Sequence, residues 1–332
     1  MKKNKIWVFY HIADSDGMSS AFLLKWAFDN LILKIPVNDN KIGLIPFNYN
    51  WDVPFEKIDK NDIVFWLDVS GTPAEMNILY DKVDGNFFWI DHHESIKEEH
   101  KELYEKCMGI IDTKRASCQN VYKFIEENGK FTKENKILFN KMKPFIDILG
   151  SCDIWDISVT DDDIDRWYIE YLSVKFALDA NDIDPKTKGG QLFWNEFLYA
   201  IENEEYDSFI EGLRYDGSVI MSFFNNRNAD LCKSYGFSAT IEGLKVFALN
   251  QGLGGAFMFN SVNLDKYDAV LCFIRSGKSD LYSVSLYTNK KEVNLLKTLS
   301  HLGFSGHKSA GGFKCKNFEI VINGNERNII IS

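Results

Sequence analysis

Histidine and aspartate recur at the ends of short apolar runs in the first half of this chain. The run Ile6–Tyr10 leads into His11, Asp14 and Asp16, the run Ile63–Leu67 into Asp68, and the run Phe87–Ile90 into Asp91, His92 and His93. Imidazole and carboxylate are side chains that move protons and hold divalent cations. One such residue after one strand is ordinarily a structural group or a helix cap. Three such strand ends together ask for more. If they converge, their charges repel and their burial is costly unless cations neutralise them. A mixed set without thiolate suits Mn²⁺, with Mg²⁺, Fe²⁺ and Co²⁺ as further choices. Two such ions roughly 3.5–4 Å apart can share a bridging carboxylate.

The elements that must position these groups follow from periodicity. Ile6–Tyr10, Ile63–Leu67 and Phe87–Ile90 are β-branched and aromatic runs, hence strands. Helical spacing covers Gly17–Asn30, with Phe22, Leu23, Trp26 and Ala27 for one face. Pro73 opens a helix carrying Met76, Leu79 and Tyr80, Ser117 is placed as the N-cap of a helix through Glu127, and Lys133–Gly150 is a further helix. Short buried strands alternating with helices predict an α/β parallel sheet, and ligands bind such sheets beyond the carboxyl ends of the strands. Asp161–Asp165 and Asn181–Gly190 read as loops, and Phe193–Glu202 and Asp216–Tyr235 as helices. From Gly236 the texture changes to strands at Lys245–Leu249, Ala269–Arg275 and Leu281–Leu286, a helix at Val293–Leu302 and a last strand at Phe318–Ile322. The expected organisation is a Rossmann-like parallel-sheet domain over 1–180, a helical linker over 181–235 and a smaller α/β domain over 236–332.

Composition bounds the function. The chain has 332 residues, 45% of them hydrophobic, which permits two folded domains and argues against wholesale disorder. No run reaches the roughly 18–20 apolar residues of a membrane span, and Ile6–Tyr10 is too short for a signal-peptide core, so a cytoplasmic protein without a membrane partner is expected. The six cysteines form no C-x-x-C pair and read as reduced thiols. The net charge of −10 argues against long duplex nucleic acid. Charge is uneven, however. Residues 236–332 hold 11 Lys and Arg against 7 Asp and Glu, and the remainder 27 against 41, so a basic tail domain could meet an anionic substrate. Within it, Gly306, His307, Lys308, Gly311 and Gly312 form a segment whose backbone could approach a phosphate or base closely, and Arg275 is a further phosphate candidate.

In this order the motifs resemble the DHH phosphoesterase superfamily. The first is His11-x-x-Asp14-x-Asp16-Gly17-x-x-Ser20, the second Asp68 in Leu67-Asp68-Val69-Ser70, and the third Asp91-His92-His93. The fourth is Asp153 in Cys152-Asp153-Ile154-Trp155, with Asp156 the other choice. Residues Phe304–Gly312 are similar to the motif of the DHH-associated domain, with Phe304 and Ser305 where the family has glycine and Tyr287 where many relatives have arginine. The resemblance implies two ions, one held by His11, Asp14 and Asp68 and one by Asp16, Asp68, His92 and Asp153, with Asp68 bridging and a water between them as nucleophile. It implies that His93 touches the scissile phosphate and that Asp91 orients a neighbouring imidazole.

The expected function is hydrolysis of short single-stranded oligonucleotides, in the manner of a nanoRNase or RecJ-like exonuclease, by a monomer or homodimer. The alternatives are a small phosphate compound (a cyclic dinucleotide, a nucleoside bisphosphate or polyphosphate) as substrate, or an inactive nucleotide-binding module.

Overall fold

The structure is a computed structural model that describes residues 5–35, 42–49, 51–252, 255–277, 279–324 and 326–331. The chain divides into two compact units, Met1–Ile220 and Met221–Ser332.

The first unit begins with β1 (Ile6–His11), α1 (Ser15–Asn30), the two-residue β2 (Ile32–Leu33), β3 (Ile42–Phe47), β4 (Ile63–Leu67) and α2 (Pro73–Lys82). β5 (Phe87–Asp91), the short α3 (Ile96–Glu99) and α4 (Lys101–Lys106), and β6 (Met108–Ile111) follow. Five strands pair in the order β3-β1-β4-β5-β6, every neighbouring pair parallel. The chain steps from β1 outward to β3, then back past β1 to β4. The direction of winding therefore reverses between β1 and β4, which is where an open α/β sheet offers a crevice beyond its strand ends.

The sheet is buried on both faces, so its inner strands need no polar alternation. All side chains of β4 and β5 are buried. Val8 and Tyr10, Phe65 and Leu67, and Phe88 and Ile90 face one core, with Leu23, Leu24 and Ala27 of α1. Phe9, Val64, Trp66, Phe87 and Trp89 face the other, with Met76 and Leu79 of α2. Phe9 stacks on Trp66 at 4.3 Å, and Phe65 on Phe88 at 4.6 Å. Each such ring contributes about 1.5–3 kcal/mol by leaving water, which fixes the strand register and with it the height of each strand end.

The helical remainder comprises α5 (Ser117–Asn128), the two-residue β7 (Gly129–Lys130), α6 (Lys133–Asp153), α7 (Ile164–Trp167), α8 (Ser173–Ala180), α9 (Lys188–Glu202) and α10 (Tyr206–Tyr235). The second unit holds β8 (Phe237–Ile241), β9 (Leu244–Asn250), β10 (Ala269–Arg275), β11 (Tyr282–Tyr287), α11 (Leu295–Leu299), β12 (Ser305–Gly306), β13 (Ala310–Cys315), β14 (Phe318–Asn323) and β15 (Glu326–Ile331). Its mixed sheet runs β12-β13-β11-β10-β9-β8-β15-β14. Both units are α/β, the first with the expected Rossmann-like sheet. No helix among the described residues is long and apolar enough to cross a membrane. The six cysteines are free thiols, five of them buried.

Several sequence expectations need correction. No separate linker body spans 181–235. Trp194, Phe197, Ile201, Ile210 and Leu213 bury into the core of the first unit, which carries its boundary to Ile220. Asp163 caps α7 through the Arg166 N–H, so the acidic run 161–165 starts a helix instead of being wholly loop. Thr187 caps α9, placing its first turn inside the expected loop at 181–190. Ala116, not Ser117, holds the N-cap position of α5. The expected helix 293–302 is the short α11 followed by a 3₁₀ turn, Ser300–Leu302. β14 is not the last strand, because β15 pairs with it antiparallel.

The start of α1 is packed against the end of β1. A Cβ on Gly17 would lie 2.3 Å from the His11 carbonyl oxygen and 2.6 Å from its Cβ. Gly17→Ala should therefore cost about 1–3 kcal/mol in chemical denaturation, as overpacking does. Wild-type stability in that variant would show that helix and strand end are not pressed together.

Candidate metal centre

The carboxyl ends of β1, β4 and β5 lie side by side, and each carries a polar residue where the apolar strand stops. His11 ends β1, Asp91 ends β5, and Asp68 follows β4 directly. Asp68 adopts φ 60°, a left-handed conformation that Asp tolerates better than most residues. Its N–H still donates to Ile90 O at 3.1 Å, so the strand ends in a fixed turn. Asp14 caps α1, its carboxylate accepting from the Gly17 N–H at 3.0 Å, and Asp16 lies in that helix's first turn.

The side chains form a row. His11 Nδ1 lies 2.8 Å from Asp14 Oδ2 and 3.6 Å from Asp68 Oδ2. His92 Nε2 lies 3.4 Å from Asp68 Oδ1, 3.2 Å from Asp153 Oδ2 and 3.9 Å from Asp16 Oδ2. Three overlapping groups result, each with ligand atoms within 4.8 Å of one another: His11, Asp14 and Asp68; Asp16, His92 and Asp153; and Asp68, Asp91, His92 and His93. Asp16, Asp68, Asp91 and His92 are nearly fully buried.

α6 contributes the row's last member at its carboxyl end. Asp153 closes that helix, and the chain leaves through Trp155 in a left-handed conformation, φ 54°. The Asp156 N–H donates to Ser151 O at 2.9 Å. This reversal carries Asp156 away, and its carboxylate instead caps the turn Ile157–Thr160 through the Ser158 N–H. Asp153, and not Asp156, thus lies beside His92. A carboxylate at a helix C-terminus meets the negative end of the dipole, which adds to its need for positive charge.

The electrostatics express that need. Burial pushes the Asp16 carboxyl up to about 7, with the charge of Asp68 adding to it and His92 opposing. Burial and then Asp16 push Asp153 up to about 7 as well. Burial opposes charge on His11 and His92, yet the close carboxylates of Asp14, Asp68 and Asp153 carry both up to about 11. Protons bind tightly where positive charge is most stabilised, and a divalent cation competes for those positions. His11 Nδ1 is buried and close to two carboxylates, but aligned for a hydrogen bond with neither. A ring nitrogen and two carboxylates facing one point fit a cation as a set of ligands.

Asp91 has a different task. Its carboxylate accepts from the His92 N–H at 2.6 Å, the His93 N–H at 3.1 Å and Trp89 Nε1 at 3.2 Å. Its Oδ1 also lies 2.7 Å from His93 Nδ1. Burial works against its charge, but His93 and these donors hold it down at about 2. The same carboxylate carries His93 up to about 9 against the opposing effect of burial. Asp91 thus fixes the ring of His93.

Sequence reasoning missed Ser117 as a site residue. Its hydroxyl donates to Asp68 Oδ1 at 2.9 Å. Its N–H and that of Cys118 donate to Asp16 at 2.8 and 2.7 Å, so Asp16 satisfies the amino end of α5 from 101 residues away. The helix-start signal at Ser117 was visible, but its target belonged to other elements.

The expected substrate residues lie in the second unit. Gly306 and Gly311 face each other across the β12–β13 hairpin, and Gly312 pairs with Ser305 and with Ser285 of β11. A Cβ on Gly311 would meet Ser305 O at 2.2 Å, and one on Gly312 would meet Val284 O at 2.5 Å, so tight strand pairing alone requires these glycines. The His307 N–H donates to Ala310 O at 2.7 Å. Lys308 is exposed. Arg275 pairs with Asp280. Phe304, where the motif has glycine, is buried in this unit's core.

No family model matches the chain, and no curated protein matches its sequence. Among solved structures it is similar to an uncharacterised protein from Helicobacter pylori at 16% identity and TM-score 0.36, over 96% of this chain and 95% of that one. It is similar to a pGpG-specific phosphodiesterase from Vibrio cholerae at 13% identity and TM-score 0.43, over 94% and 93%. An exopolyphosphatase-related protein from Bacteroides fragilis aligns at 14% identity and TM-score 0.47, over 94% and 86%. Likeness at this level leaves function to be read from the site's own residues.

Two variants test the geometry. Ser117→Ala removes a hydroxyl that holds Asp68, so calorimetry should show Mn²⁺ affinity falling roughly tenfold or more, as for other groups that orient metal ligands. Unchanged affinity would mean that Asp68 needs no such support. Asp153→Asn should lower bound metal in elemental analysis far more than Asp156→Asn, and the reverse order would contradict the placement of Asp153.

Proposed function

We propose that this protein is a divalent-metal-dependent phosphoesterase acting on short nucleotide substrates. One observation carries this reading. Imidazole and carboxylate groups from three adjacent strand ends and one helix end meet at the reversal between β1 and β4, with Asp68 within 3.6 Å of both His11 and His92. His11, Asp14 and Asp68 would hold one ion, and Asp16, Asp68, His92 and Asp153 the other. Mn²⁺ suits this donor set best. Two such ions supply Lewis-acid charge for a phosphate and make a water acidic enough to attack it.

The chain's own residues do the rest. Asp68 would serve both ions, and the Ser117 hydroxyl, donating to its Oδ1 at 2.9 Å, would hold that carboxylate in place. His93 Nδ1 donates to the Asp91 carboxylate at 2.7 Å, which orients the ring, and its Nε2 would address a phosphate oxygen or hand a proton to the leaving oxygen. In the second unit His307, Lys308 and Arg275 are the groups suited to bind a phosphate or base, with Gly306, Gly311 and Gly312 shaping the backbone there. That is enough for a terminal phosphate and a base or two, and the acidic remainder of the chain discourages a long backbone track.

With Mn²⁺ the protein should cleave 5′-phosphorylated dinucleotides, and turnover should fall as oligonucleotides lengthen from about two to about thirty residues on the expectation of a short binding track. Chelation should abolish activity and Mn²⁺ restore it. Asp68→Asn should lose at least roughly a hundredfold in kcat, the scale of a lost catalytic group. Full activity after exhaustive chelation would defeat the metal reading. Phosphate release from polyphosphate without cleavage of any oligonucleotide would move the substrate to small phosphate compounds.

A further inference from the structure

The site's surroundings contain an aromatic side chain that the metal chemistry does not use. Tyr49 follows β3, the strand beside β1, and Phe47 of β3 stands in register with His11. The Ile12 N–H donates to Phe47 O at 3.1 Å, which ties the start of the Tyr49 loop to the end of β1. The Asn48 side chain accepts from the Tyr49 N–H at 2.8 Å, and the Asn48 carbonyl from the Trp51 N–H at 3.1 Å. The Tyr49 ring meets the His11 ring edge-on, with centroids 5.6 Å apart and planes at 71°. Tyr49 is nonetheless 46% exposed.

A large ring fixed beside a phosphate-binding site, with much of its surface open, is suited to stacking on a flat ring of the ligand. Single exposed aromatics are common on protein surfaces and need no explanation. Contact with a member of the His and Asp row sets this one apart.

We propose that Tyr49 recognises the nucleobase of a substrate whose phosphate sits at the His and Asp row, so that this protein prefers base-bearing phosphates to inorganic ones. The inference rests on the phosphoesterase reading of that row and names the part of the substrate that the row itself cannot distinguish.

The test is a ligand series, with inorganic phosphate, ribose 5-phosphate and AMP titrated calorimetrically into the full chain loaded with Mn²⁺. Stacking of a base on an aromatic side chain should make AMP bind roughly tenfold or more tightly than ribose 5-phosphate. Tyr49→Ala should erase that gap while leaving phosphate affinity and Mn²⁺ content unchanged. Tyr49→Phe, which keeps the ring, should preserve the gap. Trp51→Ala removes an aromatic that is 48% exposed but not placed against the row, and should also preserve it. An equal affinity for AMP and ribose 5-phosphate in the wild type would overturn the proposal. So would a gap that survives Tyr49→Ala, or a loss in Trp51→Ala as large as that in Tyr49→Ala. Turnover of a 5′-phosphorylated dinucleotide by the wild type, measured separately, reports on the phosphoesterase reading, so the two can fail independently.

Discussion

The constraint on which this structure depends is negative charge buried at one edge of a sheet. Asp16, Asp68 and Asp91 are each at most 2% exposed, and they lie at neighbouring strand and helix ends. Carboxylates withdrawn from water are tolerable only when hydrogen bonds and cations replace it. Each has its own replacement. Asp91 is held by two backbone N–H groups, an indole and an imidazole. Asp16 takes the amino end of α5. Asp68 takes the Ser117 hydroxyl and the approach of two histidines. What these partners leave unneutralised is the charge that divalent ions would meet.

The scaffold exists to hold those ends at one height. A parallel sheet buried on both faces cannot slip by one residue without exchanging its two cores, because alternate side chains face opposite sides. Phe9 and Trp66 on one face and Phe65 and Phe88 on the other lock adjacent strands together. Register therefore sets the positions of His11, Asp68 and Asp91 relative to one another. The same rigidity explains the glycine at position 17, since α1 begins so close to β1 that no side chain fits there.

The second unit follows a different logic, and its glycines carry a lesson. Read as sequence, Gly306–Gly312 suggests a backbone cradle for a phosphate or base. In the structure Gly306 ends β12 and Gly311 and Gly312 lie in β13, and these glycines let three backbones approach closely. The requirement for glycine and a role in binding phosphate are compatible, but strand pairing is sufficient to explain the residue type.

Chain order alone determined the inner strands, because β1, β4 and β5 are continuous apolar runs with no competing pattern, and it determined that imidazole and carboxylate stand where those runs stop. The edge strands were not legible. β3 carries Gly43 and Pro46, and β6 carries Gly109 at φ 119°, residues that read as turns and are tolerated because an edge leaves backbone groups unpaired. Which core α9 joins was not legible, because its aromatics declare burial without declaring in which core. Tertiary structure alone set Asp153, the last residue of α6, beside His92 and turned Asp156 away at Trp155 to cap Ile157–Thr160. It also assigned Ser117 to Asp68 and Tyr49 to His11. These are contacts between elements 49 and 38 residues apart, made by side chains whose types are common at helix starts and in loops. Local pattern records what a residue can do, whereas its partner is fixed only when the strands pair.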